Sequence, residues 1–173
     1  MTRDSHRSAV YAAEDQLGRL LARGGTVDFF GSSLTLPVER RFADIASVER
    51  YVGAVLDLPS IRARWPHISP VRVRERAGAK RAHYEHAQAV IAIPLAGSVE
   101  QRWAARETVV LHEVAHHLVA QAPLDEPAHG PAFCGTLLFV LSVVIGPEPA
   151  TVLRAAFDGA GVPVTDLVVE ARA

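Results

Sequence analysis

The chain has 173 residues, of which 49% are hydrophobic and 21% are charged, and its formal net charge at pH 7 is −1. This length and composition exclude wholesale disorder and predict one globular domain over residues 1–173. The near-neutral charge balance gives no sign of a nucleic-acid or anionic-membrane partner.

The chain also lacks the features of two other classes: disulfide-bonded or metal-ribbon proteins, and membrane-spanning or secreted proteins. Cys134 is the only cysteine, so neither an intrachain disulfide nor a Cys-x-x-Cys metal ribbon can form. The apolar stretch at about 137–145 is too short to cross a bilayer, and the charged first residues are not followed by the apolar run of a secretion signal. We therefore expect a cytoplasmic protein that has no membrane partner.

The first third of the chain predicts two helices and a hairpin. Apolar residues recur at helical spacing over 5–23, and two glycines then end the pattern. The β-like segments on both sides of 31–33 are typical of a hairpin that turns there. A second helix is expected to carry the apolar positions from Ile45 to Leu56 and to stop near Pro59, with Asp44 or Ser47 as its N-cap.

Two β-like runs follow, at 71–76 and 82–93. The first run alternates apolar residues with arginine, which is typical of a half-exposed strand and most simply a solvent face. The second run ends in the apolar segment 89–93, which Pro94 closes. We expect this apolar segment to be an edge strand of the sheet.

Three helices are predicted in the second half. Ser98 is the expected N-cap of a long helix over 98–121, with Gln101 as its capping-box partner. Prolines and a glycine then interrupt the helical pattern, and two more helices follow at 131–145 and 148–159.

The long helix contains the pattern H-E-x-x-H, from His112 to His116. Residues four apart lie on one face of a helix, so both imidazoles can bind one ion at about 2.0–2.1 Å. Glu113 stands beside the first ligand, where its carboxylate can take a proton from water whose pKa zinc lowers to roughly 7. The composition gives only about 0.02 chance matches to this pattern, so we predict a site for one zinc ion.

A catalytic zinc ion usually has three protein ligands and keeps one position for water. Val119 and Ala122 stand where a metzincin needs glycine and histidine, and Met1 is the only methionine, so a Met-turn cannot form and that family is excluded. The third ligand is then one of three downstream residues: Glu126, Glu148 or His129.

His112-Glu113-x-x-His116, followed after twelve residues by His129-Gly130-Pro131-x-Phe133, resembles the SprT-like zinc metalloproteases. The resemblance covers a metal-site core of about 82–145. It implies that the three histidines bind the zinc ion and that Glu113 is the catalytic base.

The fold expected with this resemblance is α+β and zincin-like, with a small, mostly antiparallel sheet packed on the active-site helix and further helices around it. The chain lacks the cysteine-rich ribbon usual in members that act on DNA-linked proteins. It looks more like the compact, uncharacterised HExxH metallohydrolases of actinobacteria.

The resulting hypothesis is a zinc-dependent metallopeptidase that acts on peptide or protein substrates. The expected edge strand at 89–93 would align the peptide by β-augmentation. Five residues are expected to contact substrate, the last two as candidates to stabilise the oxyanion: Ala89, Val90, Ile91, Tyr84 and His86.

Other polar residues near the motif have simpler interpretations. Asp125 and Glu126 are candidates to orient a ligand histidine, although the default expectation is that both are solvated carboxylates in a loop. His117 is expected to be a packed or surface histidine and Cys134 a core residue, and neither is expected to be a ligand. Two other functions stay open: a metal-bound regulatory or binding module in which Glu113 has no turnover to perform, and a hydrolase of a non-peptide amide.

Overall fold

The computed structural model describes residues 4–78, 81–96, 105–122 and 125–167. Its elements follow the order α1 (Arg7–Arg23), β1 (Gly25–Phe29), β2 (Ser32–Leu36), α2 (Ile45–Leu56), α3 (Pro59–Arg64), β3 (Arg72–Glu75), β4 (His83–Glu85), β5 (Val90–Ile93), α4 (Glu107–Val119), α5 (Pro131–Val144) and α6 (Pro147–Gly159). Six helices and two small sheets in these residues confirm the α+β class. None of the described helices has the length and apolar character that crossing a membrane requires.

The chain forms two compact units. The first unit comprises residues 1–39 and 125–173, and the second comprises residues 40–124. The assignment of 1–173 to a single domain stays a prediction.

In the first unit, α6 contacts α1, α5 and β2. The apolar faces of these elements supply its buried side chains, because each helix repeats apolar residues at three- and four-residue spacing. The largest side chains that are almost fully buried in this unit are Leu17, Leu21, Leu36, Phe133, Leu137, Leu141 and Phe157.

The hairpin of the first unit turns earlier than expected. β1 and β2 pair antiparallel from Gly25–Leu36 to Phe29–Ser32, so the turn consists of Phe30 and Gly31 and not of residues 31–33. Both turn residues have positive φ, +51° and +79°, as a two-residue hairpin turn requires. Glycine adopts this conformation freely, whereas phenylalanine does so at a cost, so the pattern did not indicate the turn at Phe30.

The start of α2 in the second unit matches the prediction. Asp44 is the N-cap, and its side chain accepts a hydrogen bond of 2.7 Å from the Ser47 N–H. The Ser47 hydroxyl is 3.3 Å from the Asp44 nitrogen, which completes a capping box. Hydrogen bonds from Ser47 lower the pKa of Asp44, because they favour the ionised carboxylate.

The three-stranded sheet of this unit has the order β3-β5-β4. β5 pairs parallel with β3 and antiparallel with β4, so both of its backbone edges are occupied. The prediction that 89–93 form an edge strand is therefore wrong. All four residues of β5 are buried, and a strand covered on both faces has the continuous apolar sequence seen here. The edges of the described sheet are β3 and β4.

The run expected over 82–93 is two strands joined by a turn at 86–89. Ala89 closes this turn with a φ of +50°, and its carbonyl accepts a hydrogen bond of 3.0 Å from the Arg72 N–H. Alanine has no preference for the left-handed region, so its sequence context did not indicate a break there.

The helix that carries the H-E-x-x-H pattern is shorter than expected. α4 begins at Glu107 because Arg106, its N-cap, is extended at φ −90° and ψ 146°. The expected cap at Ser98 and its partner Gln101 lie outside the described residues.

A buried carboxylate anchors the start of α4. Glu107 is 4% exposed and accepts hydrogen bonds from the Tyr51 hydroxyl at 2.6 Å and the Arg40 N–H at 3.0 Å. Its own N–H donates to the Arg40 carbonyl at 3.0 Å. Burial raises the pKa of Tyr51, and the Glu107 carboxylate raises it further, so the hydroxyl stays a donor. These contacts hold the first turn of α4 against residue 40 and α2.

Tyr51→Phe is expected to destabilise the protein by about 1.5–3 kcal/mol, because it removes one donor from a buried carboxylate. Urea unfolding followed by tryptophan fluorescence measures the change, since both tryptophans fall within residues 40–124. Asp57→Asn is the control. It removes an exposed ion pair with Arg62 and should cost less than about 1 kcal/mol. Equal midpoints for Tyr51→Phe and the wild type would contradict this role.

Candidate metal centre

Twelve of the thirteen residues of α4 are buried, so this helix carries its polar side chains into the interior. His112 and His116 are 5% and 8% exposed and lie one helical turn apart. Their Nε2 atoms are 3.1 Å apart. Two nitrogens bound to one tetrahedral zinc ion are separated by about 3.3–3.4 Å, so the pair is close to the spacing that such an ion requires.

His129 immediately precedes the N-cap of α5, Gly130, and is 5% exposed. Its Nδ1 is 2.7 Å from Oδ2 of Asp4. Its ring packs against two aromatic rings, with centroid distances of 5.1 Å to Tyr11 and 5.0 Å to Phe133. Position and orientation of this imidazole are therefore set by three side chains.

His112, His116 and His129 each offer a ring nitrogen, and these ligand atoms all lie within 4.8 Å of one another. Three buried imidazoles at this separation are close enough to bind one metal ion, and imidazole is a ligand that suits zinc. Among the described residues, neither Glu126 nor Glu148 belongs to this group.

Glu126 has another role, which also explains the glycine of the motif. Its Oε2 accepts a hydrogen bond of 3.0 Å from the Ala132 N–H, in the first turn of α5. A Cβ on Gly130 would lie 2.9 Å from that oxygen and 3.0 Å from the Pro127 carbonyl oxygen. Only glycine leaves room for this contact, so Gly130 allows Glu126 to cap the helix that follows His129.

Glu113 is 4% exposed and lies between the two ligand histidines of α4 in sequence. It follows His112 in the sequence of this buried helix, and the proton-accepting role expected for it stays a prediction.

His117 is fully buried and joins α4 to two other segments of the second unit. The Ser69 carbonyl can only accept, so His117 Nε2 carries the hydrogen in the 3.0 Å contact between them. His117 Nδ1 is then the acceptor of the 3.1 Å hydrogen bond from the Tyr84 hydroxyl. Burial lowers the pKa of His117, which favours this neutral form. Its expected packed position is confirmed.

Gln121 completes the attachment at the end of α4. Its side-chain NH₂ donates to the His117 carbonyl at 2.8 Å, and its Oε1 accepts from the Ser69 N–H at 2.8 Å. Buried or partly buried hydrogen bonds therefore hold α4 near both of its ends, which limits the freedom of the two candidate ligands between them.

The two candidates for the oxyanion stabiliser differ in their surroundings. The Tyr84 hydroxyl proton is engaged by His117, whereas His86 is exposed on the turn after β4. The His86 ring centroid lies 4.8 Å from that of Tyr84 and 6.4 Å from that of His116. His86 is thus near the ring of a candidate ligand and open to solvent.

Cys134 and Asp125, the other residues considered from the sequence, do not belong to the histidine cluster. Cys134 is buried, and burial raises the pKa of its thiol to about 12, so it is unreactive as expected. Asp125 is exposed, and the carboxylate on His129 belongs to Asp4 instead, which sequence reasoning missed. Asp4 is 125 residues away in the chain, and no local pattern indicates such a pair.

Arg74 of β3 and Arg76, which follows this strand, both contact residues of β4. Arg74 forms an ion pair with Glu85, and Arg76 contacts His83 Nδ1 at 3.0 Å. Both contacts reach across β5, because this strand lies between β3 and β4. Hydrogen bonding to Arg74 lowers the pKa of Glu85. The strand is a solvent face, as expected, whose charges are partly paired.

Comparisons of this chain with protein-family models, with curated proteins and with solved structures found no match. The likeness to SprT-like proteases therefore stays a prediction that rests on the motif residues.

The histidine cluster predicts that the purified protein binds one zinc ion per chain. His112→Ala and His129→Ala should each abolish this binding, because two remaining imidazoles do not make a stable site. Elemental analysis after gel filtration measures the zinc content. His67→Ala is the matched control, because His67 is exposed and lies outside the cluster. Full zinc content in His129→Ala would contradict its assignment as a ligand.

Proposed function

We propose that this protein is a zinc-dependent hydrolase, and most specifically a metallopeptidase with a zincin-like active site. The observation that carries the proposal is the cluster of three buried imidazoles, with ligand atoms within 4.8 Å of one another, beside a buried glutamate on the same helix. Three protein ligands leave a position for water, which is the arrangement of a catalytic and not of a structural zinc ion.

Zinc bound by these residues supplies a Lewis acid that lowers the pKa of water to about 7. The protein's own contribution to the reaction is acid–base chemistry by Glu113. Its carboxylate accepts the proton of the attacking water and returns it to the departing nitrogen as the amide bond breaks. The burial of Glu113 keeps bulk water from competing for that proton.

The proposed peptide-binding strand is β4, an edge of the described three-stranded sheet. β4 contacts α4, and Tyr84 points from β4 to His117 on that helix. An extended peptide that pairs with the outer side of β4 would run beside the helix that carries both ligands. β4 therefore takes the place of segment 89–93 as the peptide-binding strand, because both edges of β5 are already paired.

His86 is the side chain proposed to stabilise the oxyanion. It is exposed, and its ring centroid lies 6.4 Å from that of His116. Tyr84 supports it by ring contact and donates its hydroxyl hydrogen bond to His117 Nδ1. The two residues therefore have separable roles, one in catalysis and one in structure.

Glu113→Gln should lower kcat by about 100- to 10,000-fold while the zinc content stays at one ion per chain, because the amide cannot accept the proton. Cleavage of an unstructured protein, followed by mass spectrometry of the fragments, measures the loss. Glu49→Gln on the exposed face of α2 is the matched control and should retain activity.

Each result of that experiment distinguishes the proposed function from its alternatives. A zinc-loaded wild type without any peptidase activity, but with activity on a small amide library, would favour a hydrolase of non-peptide amides. Zinc binding without turnover on either substrate class would favour a regulatory or binding module. Wild-type turnover by Glu113→Gln would contradict Glu113 as the base.

His86→Ala is expected to lower kcat by about 100- to 1,000-fold without loss of zinc or stability, because it removes a donor from the developing negative charge. Tyr84→Phe should leave kcat within a few-fold and destabilise the protein by about 1–3 kcal/mol, because it leaves the buried His117 Nδ1 without its donor. Steady-state kinetics and urea unfolding of both variants check this division. The reverse pattern would assign the oxyanion role to Tyr84.

A further inference from the structure

We propose that Asp4 is a positioning residue of the metal centre, which holds His129 so that its Nε2 faces the ion. The inference rests on the proposed metal site and concerns metal binding, not hydrolysis. Asp4 lies outside the motif and outside the metal-site core expected at 82–145.

The contact between the two side chains fixes which ring nitrogen carries a hydrogen. Asp4 Oδ2 and His129 Nδ1 are 2.7 Å apart, the length of a charge-assisted hydrogen bond. A carboxylate only accepts, so Nδ1 donates and Nε2 is left as the ligand nitrogen. Many metal-bound histidines have such a partner, which sets the tautomer and raises the basicity of the ligand.

Packing supports the same orientation. The His129 ring is inclined at 57° to Tyr11 on α1 and at 76° to Phe133 on α5, with centroids about 5 Å away in both cases. These two rings restrict tilt, and the Asp4 hydrogen bond restricts rotation about the side-chain axis. The ligand is therefore held in one orientation before any ion binds, which reduces the entropy lost on binding.

The second carboxylate oxygen of Asp4 favours a positive charge close to it. Oδ1 is buried and has no hydrogen-bond partner among the described residues. A buried carboxylate oxygen without a partner is costly unless a cation compensates it.

A purely structural ion pair between Asp4 and His129 makes a different prediction. It would stabilise the fold equally with and without metal, and its loss would leave the affinity of the folded protein for metal unchanged. The positioning role instead requires that metal affinity falls more than stability does.

The test compares Asp4→Ala, Asp4→Asn and the control Asp15→Asn, an exposed aspartate on α1. Each full-length apoprotein is titrated with Co²⁺ and Zn²⁺ against a chromophoric chelator, and the visible Co²⁺ spectrum reports the coordination geometry. Asp4→Ala should weaken binding by about 10- to 100-fold and change the Co²⁺ spectrum. Asp4→Asn should lose less, because its amide oxygen still accepts the Nδ1 hydrogen. Asp15→Asn should match the wild type.

A second measurement keeps the proposal testable if Asp4→Ala does not fold. Long-range ¹H–¹⁵N NMR of the wild-type apoprotein at about pH 8, where a free imidazole is neutral, should show the hydrogen of His129 on Nδ1. A hydrogen on Nε2 would overturn the proposal. Wild-type metal affinity in both Asp4 variants would also overturn it while leaving the metal site intact, whereas a wild type that binds no Co²⁺ or Zn²⁺ would overturn the metal site itself.

Discussion

A helix that is buried on every side must find a partner for each polar side chain that it carries. α4 is such a helix, with twelve of thirteen residues buried, and it carries Glu107 and three histidines into the interior. Glu107 is satisfied by Tyr51 and Arg40, and His117 by Ser69 and Tyr84. His112 and His116 lie between these two anchored positions, and their Nε2 atoms are 3.1 Å apart. The fixed ends of the helix therefore hold the two candidate ligand rings close together.

Contacts on both sides of the histidine cluster hold its candidate ligands in place. Hydrogen bonds of Glu107 and of Gln121 fix α4 near its ends, and the ligand pair lies between them. His129 is oriented by a carboxylate and two aromatic rings of its own unit. Ligands that are already oriented need little rearrangement on binding, and groups on helices or beside helix starts keep their geometry better than groups on open loops.

The features that were predictable from the sequence depend on neighbouring residues. The capping box of Asp44 and Ser47 spans four residues, and the ligand pair spans five, so local spacing determines both. The position of β5 depends instead on its two partner strands, β3 and β4, which begin 18 and 7 residues before it. The residue pattern within β5 does not specify these partners. An unbroken apolar run is in fact typical of a central strand. Asp4 was missed for the same reason, because its contact with His129 exists only after folding.

X-ray absorption spectroscopy at the zinc edge, on protein purified without added metal, tests the central claim most directly. The account predicts one zinc ion with three imidazole nitrogens and one further light atom, all at about 2.0–2.1 Å. A shell of four imidazoles, a sulfur ligand, or a protein that contains no metal would contradict it.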